Sequence, residues 1–123
     1  MERQRYRDLV AWQKAMGVVS DVYELTGQWP REELFGLTSQ LRRAIVSVPA
    51  NIAEGQGRTG VNEFLHHLSI AQGSVCETET LLHIARRLSY VEQSALDPLL
   101  KRTEEVARLI GGLIRSLRAS KQA

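Results

Sequence analysis

One run of glycines has the spacing that a phosphate-binding turn needs. Gly55, Gly57 and Gly60 form a Gly-x-Gly-x-x-Gly pattern. In dinucleotide-binding proteins this pattern lies between a strand and a helix, so that the pyrophosphate rests on the helix N-terminus. Here the preceding residues 40–54 have a helical pattern, and no parallel sheet is predicted to hold such a turn. We interpret the glycines as the end of one helix and the turn into the next, and predict no cofactor.

Two further features have the chemistry of a metal ligand or a nucleophile. Glu63 and His66 have the Glu-x-x-His spacing of di-iron bundles, but such sites need a second pair and two more glutamates. His83 has its glutamate, Glu79, four residues before it rather than three. Cys76 has no helix N-terminus or basic neighbour to activate it, so we expect a buried, inert thiol. We predict no metal, no catalytic residue and no enzymatic activity.

The basic residues are more informative, because thirteen of the sixteen are arginine. Arginine suits bidentate contacts with phosphate or carboxylate groups better than lysine does. One interpretation is a solvated helix surface, with arginines near helix C-termini opposing the macrodipole. The other is a patterned basic surface that contacts a partner once copies assemble. The candidate contacts are Arg42, Arg43, Arg58, Arg86, Arg87, Arg115 and Arg118.

Length and composition set the frame for these residues. The chain has 123 residues, of which 43% are hydrophobic and 24% charged, with a net charge of +2. These values exclude a disordered or fibrous chain and fit one globular domain. The single cysteine excludes an internal disulfide and fits a reducing compartment. No apolar run approaches the ~20 residues that span a bilayer, so we expect a cytoplasmic protein without membrane contact.

Apolar residues recur at helical spacing in four stretches, and no alternating strand pattern competes with them. The spacing predicts helices over about 8–26, 36–56, 61–89 and 95–119, in a single domain of residues 1–123. The predicted fold is an all-α, antiparallel up-down four-helix bundle. Because the third helix is long and its apolar stripe is wide, we infer self-association, most simply with cyclic symmetry.

The stripes also predict which residues form the core. In the third helix, Leu81, Ile84 and Leu88 should widen the stripe, and in the fourth the stripe runs from Leu99 to Leu117. In the first helix we expect the core face to be Leu9, Trp12, Met16, Val19 and Tyr23.

Local signals predict where the helices begin. Asp8 and Asn62 are candidate N-caps for the first and third helices. The fourth is expected to start near Asp97–Pro98, with Ser94 as a competing cap. The Gly111–Gly112 pair lowers helix propensity, and we expect a neighbouring helix to approach it closely.

The segment Leu37–Gly55, LTSQLRRAIVSVPANIAEG, resembles the signature of the four helix bundle protein family, also called the 23S rRNA intervening-sequence protein family. Arg7–Met16 resembles the first helix of that family. Glu63–Phe64, Gly73–Glu79 and Gly112–Leu117 also resemble family segments, so the resemblance covers nearly the whole chain.

The resemblance implies antiparallel four-helix bundles that assemble into pentameric barrels. Some members of the family are encoded inside intervening sequences of large-subunit ribosomal RNA genes. A related branch, the accessory variability determinants of diversity-generating retroelements, binds a reverse transcriptase and nucleic acid through a basic barrel. This chain is only mildly basic, which does not favour that role. We expect a homopentameric interaction or scaffold protein whose partner is RNA or a nucleic-acid-processing protein. The alternative is a purely protein-binding accessory subunit.

The family motif also has a physical interpretation. Pro49 removes a backbone donor, so the second helix should continue with a kink there. Asn51 would donate a hydrogen bond to the backbone that Pro49 frees, and Gly55 would end the helix.

Glu54 would pair with either Arg43 or Arg58, which makes the motif mainly architectural. In the other interpretation Arg42, Arg43 and Arg58 contact a ligand on the barrel.

Overall fold

Four long helices form the structure, a computed structural model that describes residues 5–122. A one-turn 3-10 helix precedes each of the first two long helices, and no strand occurs within residues 5–122. The all-α four-helix architecture predicted from the sequence is therefore confirmed. The long helices are α1 (Val10–Thr26), α2 (Leu37–Gly57), α3 (Val61–Arg87) and α4 (Gln93–Gln122).

Contacts between helices fix their directions. Lys14 of α1 forms an ion pair with Glu105 of α4 at 3.4 Å, and the Gln72 amide of α3 donates to the Ala107 carbonyl of α4 at 3.0 Å. In this up-down bundle, α1 and α3 begin at the end where α2 and α4 finish. We call this end, with its turn at residues 58–60, the α2–α3 end, and the other the opposite end.

The core lies where the stripes of α2 and α3 predict it. Burying each leucine or isoleucine side chain of this kind contributes about 1.5–3 kcal/mol. The buried apolar residues of these two helices include Leu41, Ile45, Val48 and Ile52 from α2 and Leu68, Ala71, Val75, Leu82 and Ala85 from α3.

The predicted core face of α1 is wrong in part. Met16 is 41% exposed and Tyr23 is 44% exposed. Two adjacent stripes of α1 share helical spacing, and the bundle buries the one with the smaller side chains, which lets neighbouring helices approach. That buried stripe is Ala11, Ala15, Val18, Val22 and Thr26.

The widened stripe of α3 is also wrong at two positions. Leu81 is buried, but Ile84 is 39% exposed and Leu88 is 49% exposed. Both residues are at the C-terminal end of α3, on its exposed side.

The predicted starts of three helices shift. Asp8 lies in a 3-10 helix, and α1 begins after Leu9, which provides no side-chain cap. Asn62 lies inside α3, which begins after Gly60. Helix α4 begins at Gln93, so Asp97 and Pro98 lie within it. The amides of Ala95 and Leu96 donate to the Glu92 carbonyl, so the helix is already formed before Asp97.

Gly111 and Gly112 do not mark a close approach of a neighbouring helix. A Cβ added at Gly111 would meet only side-chain tips, with Nη1 of Arg115 at 3.3 Å and Nε2 of Gln72 at 3.9 Å. A flexible arginine can move aside at little cost, so helix packing does not require glycine there.

A glutamate outside the long helices organises the opposite end. One carboxylate oxygen of Glu33 accepts the Leu37 amide at 3.1 Å, which satisfies a free donor at the start of α2. The other accepts the Tyr90 hydroxyl at 2.9 Å, and this hydrogen bond raises the pKa of Tyr90. The carboxylate thus ties the α1–α2 connection to the α3–α4 connection.

Candidate functional site

The family motif lies on α2, which continues through Pro49 without interruption. Pro49 leaves the carbonyl of Ile45 without its usual donor. The Asn51 amide does not replace that donor, because it donates to the carbonyl of Ser47 at 2.9 Å and to its hydroxyl at 3.0 Å. The expected role of Asn51 is therefore corrected, and the kink at Pro49 stays a prediction.

Asn51 instead joins α2 to α3. Because its nitrogen faces Ser47, its oxygen faces Nδ1 of His67 at 3.0 Å, so that nitrogen of the imidazole carries the proton. One turn back, the Ser74 hydroxyl donates to the Ser47 hydroxyl at 2.9 Å. These side chains form a polar seam along the outer edge of the α2–α3 contact.

The Glu54 carboxylate pairs with Arg58 at 2.8 Å, which resolves the choice between Arg43 and Arg58. The hydrogen bond from Arg58 lowers the pKa of Glu54, with a smaller contribution from His67. The pair therefore stabilises the fold at neutral pH, and this contribution is lost as the pH falls through the lowered pKa. Both side chains are about half exposed, so solvent and salt screen the pair.

Gly55 does not end α2, which continues to Gly57. A Cβ added at Gly55 would lie 2.7 Å from Cβ of His67 and 3.0 Å from Cδ1 of Phe64. Only a residue without a side chain lets α2 and α3 approach this closely. The glycine is therefore architectural, but as a helix contact rather than as a terminator.

Arg42 is engaged within the molecule. Its Nε donates to the Thr26 hydroxyl at 2.9 Å, and its guanidinium lies 4.5 Å from the centre of the Tyr23 ring. These contacts clamp α1 to α2 near the opposite end. Arg43, the next residue, is exposed.

The paired arginines of α3 divide in the same way. Arg86 is half-buried, and its Nε donates to Gln93 of α4 at 3.3 Å. Arg87 is exposed. Arg42 and Arg86 are thus structural links, whereas Arg43 and Arg87 are free to contact solvent or a partner.

The remaining candidate arginines, Arg58, Arg115 and Arg118, are exposed at the α2–α3 end. The structure therefore does not unite the seven candidates in one surface. Arg42, Arg43, Arg86 and Arg87 lie towards the opposite end, at a distance from the other three along the bundle axis.

An exposed apolar groove lies between α1 and α2, and the sequence analysis did not find it. It has a volume of about 400 Å³ and includes Tyr23, Phe35, Arg43 and Val46. Phe35 is 93% exposed. The sequence did contain a signal for this groove. Leu34 and Phe35 are large apolar residues that lie outside the predicted apolar stripes of the first and second helices.

The other predicted chemical groups are also placed by the structure. Glu63 and His66 line a shallow groove with Arg58, and residues 5–122 contain no group of three His, Cys, Asp or Glu that could hold a metal ion. Cys76 is exposed on α3, so the prediction of a buried thiol is wrong. Among the described helices, none has the length and apolarity that crossing a membrane requires.

The helices and their exposed surfaces define an all-α four-helix-bundle protein. Residues 7–112 match the family model described as 23S rRNA-intervening sequence protein, and the chain belongs to that family. A crystal structure from Bacteroides thetaiotaomicron, of a protein of unknown function in the S23 ribosomal protein family, has the same fold. Its TM-score is 0.80 at 23% identity, over 86% of this chain and 96% of that one. No curated protein matches this chain.

Proposed function

We propose that this chain is a non-enzymatic interaction or scaffold protein that assembles as a cyclic pentamer and binds RNA or an RNA-handling protein. The observation that carries the proposal is the apolar surface that α1 and α2 leave uncovered. Met16, Tyr23, Val46 and Phe35 are each at least 40% exposed on these helices and the connection between them.

This surface has the character of an interface. Large contiguous apolar patches on otherwise polar proteins mark sites of association. Burying an aromatic side chain such as Phe35 contributes about 1.5–3 kcal/mol, so its exposure in the single chain favours a partner that covers it. A second copy of the same chain is the simplest such partner.

The pentameric state is supported by the family resemblance. A contact in which the apolar surface of one copy meets a different surface of the next generates a ring when the rotation between neighbouring copies closes.

RNA is the favoured partner because of the charge and the family. The chain carries +2, so a pentamer carries +10. Repeated basic charge attracts phosphate backbones and makes binding sensitive to salt. The family to which the chain belongs is described by its link to a 23S rRNA intervening sequence, which supports RNA over other polyanions.

The test combines native mass spectrometry with fluorescence anisotropy of a labelled RNA hairpin over a salt series. We expect a mass of five chains and RNA binding that weakens steeply as salt rises. Phe35→Ser should reduce the mass, while Ile70→Ser, which changes an apolar residue of α3 that is 39% exposed, should not. A monomeric wild-type chain at high protein concentration would contradict the proposed assembly.

A purely protein-binding accessory role is the second candidate, and the groove itself favours it. Arg42 and Arg43 flank its apolar floor, an arrangement that suits an apolar peptide carrying acidic residues. An assembled wild-type protein that binds no RNA even at low salt would favour this role and contradict the RNA proposal.

A further inference from the structure

The charge of this molecule is segregated along the bundle. The α2–α3 end, taken as residues 5–11, 51–72 and 108–122, contains seven basic and three acidic residues. The other described residues contain eight basic and ten acidic residues. The small net charge of the chain therefore conceals a basic end and a mildly acidic remainder. The basic residues of the α2–α3 end are Arg5, Arg7, Arg58, Arg108, Arg115, Arg118 and Lys121.

The basic residues of this end are also available to a partner. All seven are exposed. Within residues 5–122, Arg58 is the member of this set that forms an ion pair, with Glu54. No acidic residue follows Glu105 in the sequence. Lys14 and Arg102, which lie outside this end, are by contrast both paired with acids on a neighbouring helix.

Helix α4 presents the largest part of this charge. Arg108 lines a groove beside residues 8–11, at the start of α1. Arg115 follows two turns later, roughly 10 Å further along the helix and on the same face. Arg118 follows about one turn after Arg115. These three exposed arginines therefore extend along α4 towards its C-terminus rather than forming a single point.

The apolar side of the same segment is turned towards the bundle. Leu113, Ile114 and Leu117 are partly buried and pack against the core. This leaves Arg115 and Arg118 exposed on the outer face of the segment. A phosphate backbone fits such a face better than a lipid bilayer does, because interfacial membrane helices bury an apolar face of their own.

We propose that the α2–α3 end, centred on Arg108, Arg115 and Arg118, is the surface that binds the phosphate backbone of RNA. This inference rests on the proposed RNA binding and gives it a location. It divides the seven arginines singled out in the sequence, since Arg58, Arg115 and Arg118 belong to this surface. Arg42, Arg43, Arg86 and Arg87 do not.

The experiment compares two double variants with the same change in net charge. Arg115→Glu/Arg118→Glu alters the basic end, and Arg87→Glu/Lys101→Glu alters exposed basic residues that lie outside both this end and the apolar groove. Binding of a labelled RNA hairpin is measured by anisotropy between about 50 and 200 mM salt. The first variant should bind at least tenfold more weakly, with the slope of log K against log salt reduced by about two. The second should stay within about threefold of wild type.

Circular dichroism melting and native mass spectrometry on both variants exclude misfolding and disassembly as causes. Arg115→Gln/Arg118→Gln should show a smaller loss in the same direction, because it removes charge without adding repulsion.

The two proposals fail in different ways. If the wild-type protein binds no RNA at low salt, the RNA proposal is overturned and this inference with it. If wild type binds but Arg87→Glu/Lys101→Glu loses as much affinity as the α4 variant, or more, only the location is overturned. Binding to phosphatidylserine vesicles, with none to RNA, would also overturn it.

Discussion

At the residue scale, the contact between α2 and α3 depends on the absence of a side chain at Gly55. We expect Gly55→Ala to lower the free energy of unfolding by about 1–3 kcal/mol, as overpacked cores do. The reason is that the new Cβ would lie 2.7 Å from Cβ of His67, which is fixed to the α3 backbone, so the helices must separate. Urea denaturation followed by circular dichroism measures the loss.

Gly57→Ala is the matched control for this prediction. Gly57 also lies in the last turns of α2, but a Cβ there would have no neighbouring atom within 4 Å. We expect no loss of stability, and a gain of up to about 1 kcal/mol from the higher helix propensity of alanine. Equal stability of wild type and Gly55→Ala would show that the helices adjust freely at this contact.

Glu54 and Gly55, both in the family motif, show how far a sequence determines the role of a residue. The pairing of Glu54 with Arg58 was one of two predicted choices, because a spacing of four places both on one helix face. The role of Gly55 could not be predicted, because its contact partner, His67, lies on another helix. A glycine near a helix end predicts termination locally, and only the packed structure shows a close approach.

At the element scale, α3 ends in a turn that favours glycine but contains serine. Ser89 has a φ of 62°, in the left-handed region. Its amide donates to Arg86 and the amide of Tyr90 donates to Ala85, the two hydrogen bonds of a Schellman motif. A side chain in this conformation costs about 1 kcal/mol, which glycine avoids.

We therefore expect Ser89→Gly to raise the free energy of unfolding by about 0.5–1 kcal/mol, measured by urea denaturation. Ser69→Gly makes the same chemical change at an exposed position inside α3 and should lower stability by about 0.5 kcal/mol. Opposite signs for the two variants isolate the backbone effect. A loss of stability in both would mean that the turn tolerates serine without strain.

Whole elements were predicted better than their faces. Periodicity located four helices, because each has an apolar stripe at a spacing of three and four residues. It chose the wrong stripe on α1, where Met16 and Tyr23 have the same spacing as the smaller Ala15 and Val22. Periodicity gives the spacing of an apolar stripe but not what packs against it. From the sequence, an exposed apolar face of a helix therefore cannot be distinguished from a core face.

At the scale of the whole molecule, the apolar groove and the basic end lie at different places along the bundle. Between Arg43, at the groove, and Arg58, at the α2–α3 end, α2 rises roughly 20 Å. Because of this separation, we expect the proposed assembly and the proposed RNA binding to be disrupted independently. The basic end could not be located from composition, because the net charge of +2 is a sum over both ends of the bundle.

The separation leads to a prediction about RNA length. In the proposed ring, a long RNA would contact several basic ends at once, and such multivalent contact raises affinity without any new contact type. Phe35→Ser, which weakens assembly, should therefore reduce affinity for an RNA of about 40 nucleotides at least tenfold. It should leave unchanged the affinity for an RNA of about 8 nucleotides, which contacts a single copy.

Arg115→Glu/Arg118→Glu should weaken binding of both RNAs and preserve the oligomer mass, because these residues lie away from the groove. Anisotropy with the two RNAs and native mass spectrometry decide the matter. Dissociation of the charge variant into monomers, or loss of short-RNA binding in Phe35→Ser, would show instead that one surface serves both functions.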